Sequence, residues 1–172
     1  MQYIFNAKDK GFLFLKLYLK SLEQNYYVDK SEGTSYTIAW NKGIATQIKI
    51  DEVWYNFPAN AVLPIMHDQC FEIEDASNMV LWQFNSEFYC IVNHDEEVGC
   101  VGFIFYGPKP TMFVDLNSED IESMERMLLV FEEEFTSSED IKEEMLRMLL
   151  VRLIIKITRL AKKQFLNKVP NI

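Results

Sequence analysis

The apolar residues of this chain change period once, and that change constrains the fold more than any other feature. From residue 35 to about 115 the sequence runs in short alternating stretches. In "GIATQIKID", Ile44, Thr46, Ile48 and Ile50 alternate with Ala45, Gln47, Lys49 and Asp51. A period of two sends successive side chains to opposite faces, which is the signature of a strand. "VWYNF" (53–57) follows after a "DE" turn, "FPANA" punctuates the chain before "VLPI", and "QCFEIED" alternates again. Evenly spaced strands and turns of this kind build a sandwich or a barrel. Residues 11–24 fit helix and strand equally well, which leaves the structure of 1–30 open.

The polar run Asn93–Glu97 is expected to close a hairpin that pairs Val92 with Val98 and sets Cys90 opposite Cys100. Its strands are apolar on both faces, so both faces need cover. After Gly107-Pro108 and Pro110 the period becomes helical. Ser118 or Asn117 can cap a helix whose apolar positions are Ile121, Met124, Leu128, Phe131 and Phe135. Thr136 and Glu139 have the spacing of a capping box for a second helix. Only a tight corner fits between the two, so an antiparallel helical hairpin is expected.

The second helix, "EEMLRMLLVRLIIKITRLAKKQF" (143–165), is apolar on more than one side. Leu146, Leu150, Leu153, Ile157 and Leu160 form a near-heptad stripe, and Met148, Val151 and Ile155 form another. One face can cover the barrel. The other is either consumed by the first helix or surplus, and a wide surplus apolar face marks a partner. Leu146, Leu150, Leu153, Ile157 and Leu160 are therefore the expected contact between two copies of the chain.

Charge narrows the function. Residues 1–138 hold 22 acidic and 9 basic side chains, whereas 139–172 hold 4 acidic and 8 basic. An acidic body repels polyphosphate, so nucleic-acid binding by these residues is not expected. The N-terminus lacks the basic-then-apolar order of a signal peptide, and "FLFLKLYL" is too short to span a bilayer. Cys70, Cys90 and Cys100 leave an odd thiol and no C-x-x-C, and Cys90 and Cys100 are read as small core residues rather than a disulfide. A reduced, cytoplasmic protein without membrane contact is expected.

Chemistry-bearing motifs are scarce. His67 and His94 form no H-x-H or H-x-x-x-H pair, so neither a metal nor any other cofactor is expected. There is no G-x-S-x-G and no glycine-rich phosphate loop. Aromatic residues remain: Trp40, Trp54, Trp82, Phe84, Tyr89 and Phe103 fall in the strand region. They either fill the barrel or line a pocket. Residues 1–116 contain no arginine, so such a pocket would take a neutral or apolar ligand.

The block "YTIAWNKG…IKID…NAVLPIMHDQCFEIED…LWQFNSEFYCIVNHDEEVGCVGFIFYG" resembles the N-terminal cupin-like domain of AraC-type transcription regulators of the Bacteroidetes. "EMLRMLLVRLIIKITRLAKKQF" is similar to the helical segment that follows that barrel, and the likeness covers residues 35–166. It implies a mainly β fold with C-terminal helices: a double-stranded β-helix barrel over 1–116, then a helical dimerisation hairpin over 117–166. Residues 167–172 would begin a linker to a helix-turn-helix DNA-binding domain that is absent from this sequence. The implied function is regulation and dimerisation, with possible sensing of a small-molecule effector and no enzymatic activity. The alternatives are a cupin-fold enzyme, an isomerase or dioxygenase, and a free-standing small-molecule binding protein. The histidine motif of metal-binding cupins is missing, which argues against the enzyme.

Overall fold

A computed structural model describes residues 1–17, 26–28, 35–91, 102–106 and 111–166. Among these residues ten strands form two antiparallel sheets. The strands are β1 (Gln2–Asn6), β2 (Phe12–Leu17), β3 (Tyr26–Val28), β4 (Tyr36–Asn41), β5 (Thr46–Ile50), β6 (Val53–Phe57), β7 (Ala61–Ile65), β8 (Phe71–Ile73), β9 (Met79–Phe84) and β10 (Val114–Asp115). The larger sheet runs β1-β2-β9-β4-β7-β10 and the smaller β3-β8-β5-β6. The helices named among the described residues are α1 (Phe103–Tyr106), α2 (Ser118–Thr136) and α3 (Lys142–Phe165). The result is a β-barrel with a helical hairpin, the fold class read from the sequence.

Register sorts the side chains of the larger sheet into two layers. Leu15 and Ile38 flank Trp82, Leu13 and Tyr36 flank Phe84, and Trp40 lies opposite Val80. Directly opposed residues share a face, so these large groups lie on one side and pack under the helices. The intervening residues Ala39, Leu63, Met79 and Leu81 point the other way, into a second core with Ile48, Ile50, Phe57, Phe71 and Ile73. Both faces of the sheet are therefore dry, and the helices are the outer cover.

Local chemistry sets the element ends. Asp51 and Glu52 take positive φ values of 44° and 70°, which makes the two-residue hairpin between β5 and β6. Asn117 caps α2 by accepting from the Asp120 backbone N–H at 2.9 Å, and the Asp120 carboxylate accepts in return from the Asn117 N–H. The second expected box does not form. Thr136 is the last residue of α2, and its hydroxyl donates back to the carbonyls of Glu132 and Glu133. Helix α3 starts six residues later without a side-chain cap, and the Lys142 ammonium bonds the carbonyls of Phe135 and Ser137 to close the corner.

The second correction concerns the expected 88–105 hairpin. Strand β9 ends at Phe84 because buried Asn85 turns the chain there. Its side-chain oxygen accepts from the N–H groups of Phe12 (2.9 Å) and Phe88 (3.2 Å), and its amide donates to the Lys10 carbonyl. Gly11 is required at this crossing, since a Cβ there would sit 2.9 Å from the Phe88 backbone. Phe103–Tyr106 is a single helical turn, with Phe105 and Tyr106 donating to the Gly102 carbonyl. The proposed pairing of Val92 with Val98, the Asn93–Glu97 loop, His94 and Cys100 lie outside the described residues.

Candidate functional site

The six aromatic residues proposed from the sequence do not converge on a pocket. Trp40, Trp82 and Phe84 are fully buried between the larger sheet and the helices. Trp82 packs 5.7 Å from the Phe131 ring, and the Lys42 ammonium sits 5.1 Å from the centroid of Trp40. Neither indole N–H finds an acceptor among the described residues. Trp54 faces outward from the smaller sheet and is 50% exposed, while Phe103 is half-buried on α1. Of the six, Tyr89 borders the cleft between the helices.

The expected pairing stripe is displaced too. Leu146, Leu150, Leu153 and Ile157 have no exposure at all, because they pack inside the chain with the larger sheet and α2. Leu160 is half-buried at the edge of the cleft. The oily outer face of the sheet consumes this stripe. The second stripe, Met148, Val151 and Ile155, is the one left over, and it lines the cleft.

That cleft, of about 940 Å³, lies between α2, α3 and the segment 86–90. Met127 of α2, Tyr89, and Met148, Val151, Ile155 and Leu160 of α3 give it apolar walls. Helix geometry adds the polar part: Arg152 and Arg159 follow Met148 and Ile155 at four-residue intervals on the same face of α3. Arg147 and Lys156 join them. The absence of arginine from residues 1–116 had pointed to an uncharged pocket, but the hairpin supplies guanidinium groups from the other end of the chain.

These cations are not equivalent. The Arg147 Nε donates to the Phe88 carbonyl at 2.9 Å, and its guanidinium meets Glu143 at 2.6 Å and lies 5.1 Å from the Phe88 ring centroid. It fastens α3 to the 85–88 segment. Lys156 pairs with Asp120 at 3.2 Å, tying α3 to α2. Arg152 and Arg159 are exposed and have no acidic partner among the described residues. Glu87 is the one acid that shares the lining.

The structure also holds a phenol pair. The hydroxyls of Tyr36 and Tyr106 are 2.6 Å apart, and Tyr36 stacks on Phe84 and lies 5.0 Å from the His67 ring. Burial, reinforced by the Tyr106 hydroxyl, pushes the Tyr36 phenol well above its usual value of 10.0. Among the described residues no group of three His, Cys, Asp or Glu side chains is placed to hold a metal ion. No described helix is long and apolar enough to cross a membrane.

No protein-family model and no curated protein matches the sequence. Solved structures do. An apo variant of ToxT from Vibrio cholerae aligns with a TM-score of 0.52 at 14% identity, over 93% of this chain and 58% of that one. The AraC-like transcriptional activator CuxR aligns with a TM-score of 0.49 at 7% identity, over 95% of this chain and 64% of that one. A cupin protein from Bacteroides fragilis aligns over 43% of this chain and 64% of that one, with a TM-score of 0.30 at 16% identity. The chain thus spans less than two thirds of the length of these structures. At such identities the likeness is one of fold, and the ToxT alignment carries it: over the aligned residues this chain folds as that structure does.

Proposed function

We propose that this chain is a non-enzymatic regulatory domain of an AraC-type transcription regulator that responds to a small molecule in the hairpin cleft. The observation that carries the reading is the position of the cleft: its walls come from both long helices and from the 86–90 segment. A ligand there would bridge elements whose relative placement a regulator can use. It shifts the balance between two arrangements only by binding one more tightly than the other. The shared fold with ToxT supports the assignment, and DNA binding would belong to a further domain.

Pairing of two copies belongs to the same reading, through a face other than the buried stripe. Leu129, Val130 and Met145 are exposed apolar residues on the hairpin and are the contacts proposed for it. Sedimentation at micromolar concentration should give the mass of two chains, and Leu129→Glu should halve it. A single-chain mass for the unmodified protein would remove this part of the proposal.

The sensing part is tested by thermal shift with a small-molecule library on the chain and on Ile155→Trp, which fills the cleft. A ligand at 100 times its dissociation constant stabilises the folded state by about 2.7 kcal/mol. At least one compound should raise Tm in the chain and not in the variant. Equal shifts in both, or none in either, would sink the reading.

A further inference from the structure

The sheet edges of this fold are not treated alike. At β10 the outward N–H and C=O of Asp115 are both taken up by the side-chain amide of Gln164, at 2.9 and 2.8 Å. Strand β6 is the terminal strand of the smaller sheet and has no such cover among the described residues. Parity along β5 shows which groups of β6 face out. The Asp51 N–H donates to the Cys70 carbonyl and the Gln47 carbonyl accepts from the Glu74 N–H, both on the β8 side. Ile48 and Ile50 therefore turn towards β6 and bond Tyr55 and Val53. The backbone N–H and C=O groups of Trp54 and Asn56 point away from the sheet. Val53 and Trp54 are half exposed and Asn56 is exposed, so side chains do not bury this edge. Natural edges are guarded by charge, proline or a bulge, and "VWYNF" contains no charge and no proline.

We propose that β6 pairs antiparallel with β6 of a second copy, about a two-fold axis through Tyr55. In that register Trp54 lies opposite Asn56 of the second copy, and the N–H of each meets the carbonyl of the other. Symmetry repeats both bonds, so every outward group of the strand is satisfied at once. Tyr55 meets its own equivalent, and the two Trp54 rings share a face within diagonal reach, where aromatic pairs add stability. Charge permits a copy here. The chain has a net charge of −9, which makes two copies repel, yet the same register continues with Glu52 opposite Pro58 and Asp51 opposite Ala59. No like charges are opposed. The contact is small, one five-residue strand from each copy, so it is a weak one that acts at high local concentration. It is separate from the hairpin contact through Leu129, Val130 and Met145, and the two together would build assemblies larger than a pair.

The test is sedimentation of the Leu129→Glu chain, in which the hairpin contact is disabled. It should run as one chain at about 10 µM and approach two at about 1 mM, as a dissociation constant of roughly 0.1–1 mM requires. Asn56→Pro deletes an outward N–H while leaving the bonds to β5, and should keep a one-chain mass at both concentrations with the parent Tm. Asn56→Lys keeps the N–H but sets two like charges diagonally across the axis, and should weaken pairing roughly twofold to threefold. Trp54 supplies an internal signal, because Trp40 and Trp82 are fully buried. Its quenching by acrylamide should fall as the chain is concentrated. Amide exchange should slow at Trp54 and Asn56, and not at Val53, Tyr55 and Phe57.

A one-chain mass at the higher concentration would overturn the proposal, and so would a pair that survives both Asn56 variants. Growth past two chains in the Leu129→Glu background would exclude a closed two-fold pair. A two-chain mass already at the lower concentration would count against the hairpin contact instead. Asn56→Pro then still decides the edge: loss of the pair supports it, and persistence overturns it.

Discussion

The two faces of the larger sheet do different work. The inner face presents Ala39, Ala61, Leu63, Met79 and Leu81 to the smaller sheet. The outer face presents Tyr36, Trp40, Trp82 and Phe84 to the helices. Small and mid-sized aliphatic groups let two sheets approach closely, whereas large rings hold a layer of helices off the sheet and give them a broad base. The bulk of the aromatic mass therefore lies outside the barrel, under the hairpin, and so does the cleft.

This contrast can be broken most directly at the tryptophans. Trp82→Ala should cost about 3–5 kcal/mol in urea unfolding, because it opens a large cavity beneath α2. Trp54→Ala, on the exposed face of the smaller sheet, should cost under about 1 kcal/mol. Equal losses would mean that the outer layer is not the load on which the hairpin rests. The same comparison repeats on α3, where Leu153→Ala should cost about 2–5 kcal/mol and Met148→Ala, 67% exposed, within about 0.5 kcal/mol. A large loss at Met148 would show that its face is covered in solution.

Smaller effects sharpen the picture. Arg147→Ala removes the donor to the Phe88 carbonyl and should cost about 1–3 kcal/mol. Amide exchange should then rise in residues 85–90 before it rises in the smaller sheet. Tyr36 gives a pH signature. Its phenol holds its proton more tightly when folded than when unfolded, so its contribution is fully present below pH 10 and declines as pH rises beyond it. Tyr36→Phe should flatten the fall of Tm above that pH, and an unchanged slope would assign the fall to other groups.

Legibility in the sequence followed how many faces each segment buries. The strands from Thr46 to Ile65 could be read because β5 alternates against a one-sided requirement and the Asp51–Glu52 turn is short. The Asn117 cap could be read because its chemistry is local. The 88–105 segment could not, since residues apolar on every side carry no period and the turn there depends on Asn85 bonds to residues more than 70 positions away. On α3 both apolar stripes were visible, but only the packed structure shows that the near-heptad one meets the sheet. The cleft was missed for a related reason. Its walls were assigned to aromatic residues near in sequence to the strands, while its guanidinium groups come from a helix that folds back from the far end. The signal was present in the spacing of Met148, Arg152, Ile155 and Arg159.

One small junction has mechanical meaning. Asn85 grips Phe12 and Lys10, Gly11 admits the Phe88 backbone, and Arg147 holds the Phe88 carbonyl. The lip of the cleft and the β1–β2 ribbon are thereby riveted together. A displacement of residues 86–90 would have to break those bonds or carry the β1–β2 ribbon with it.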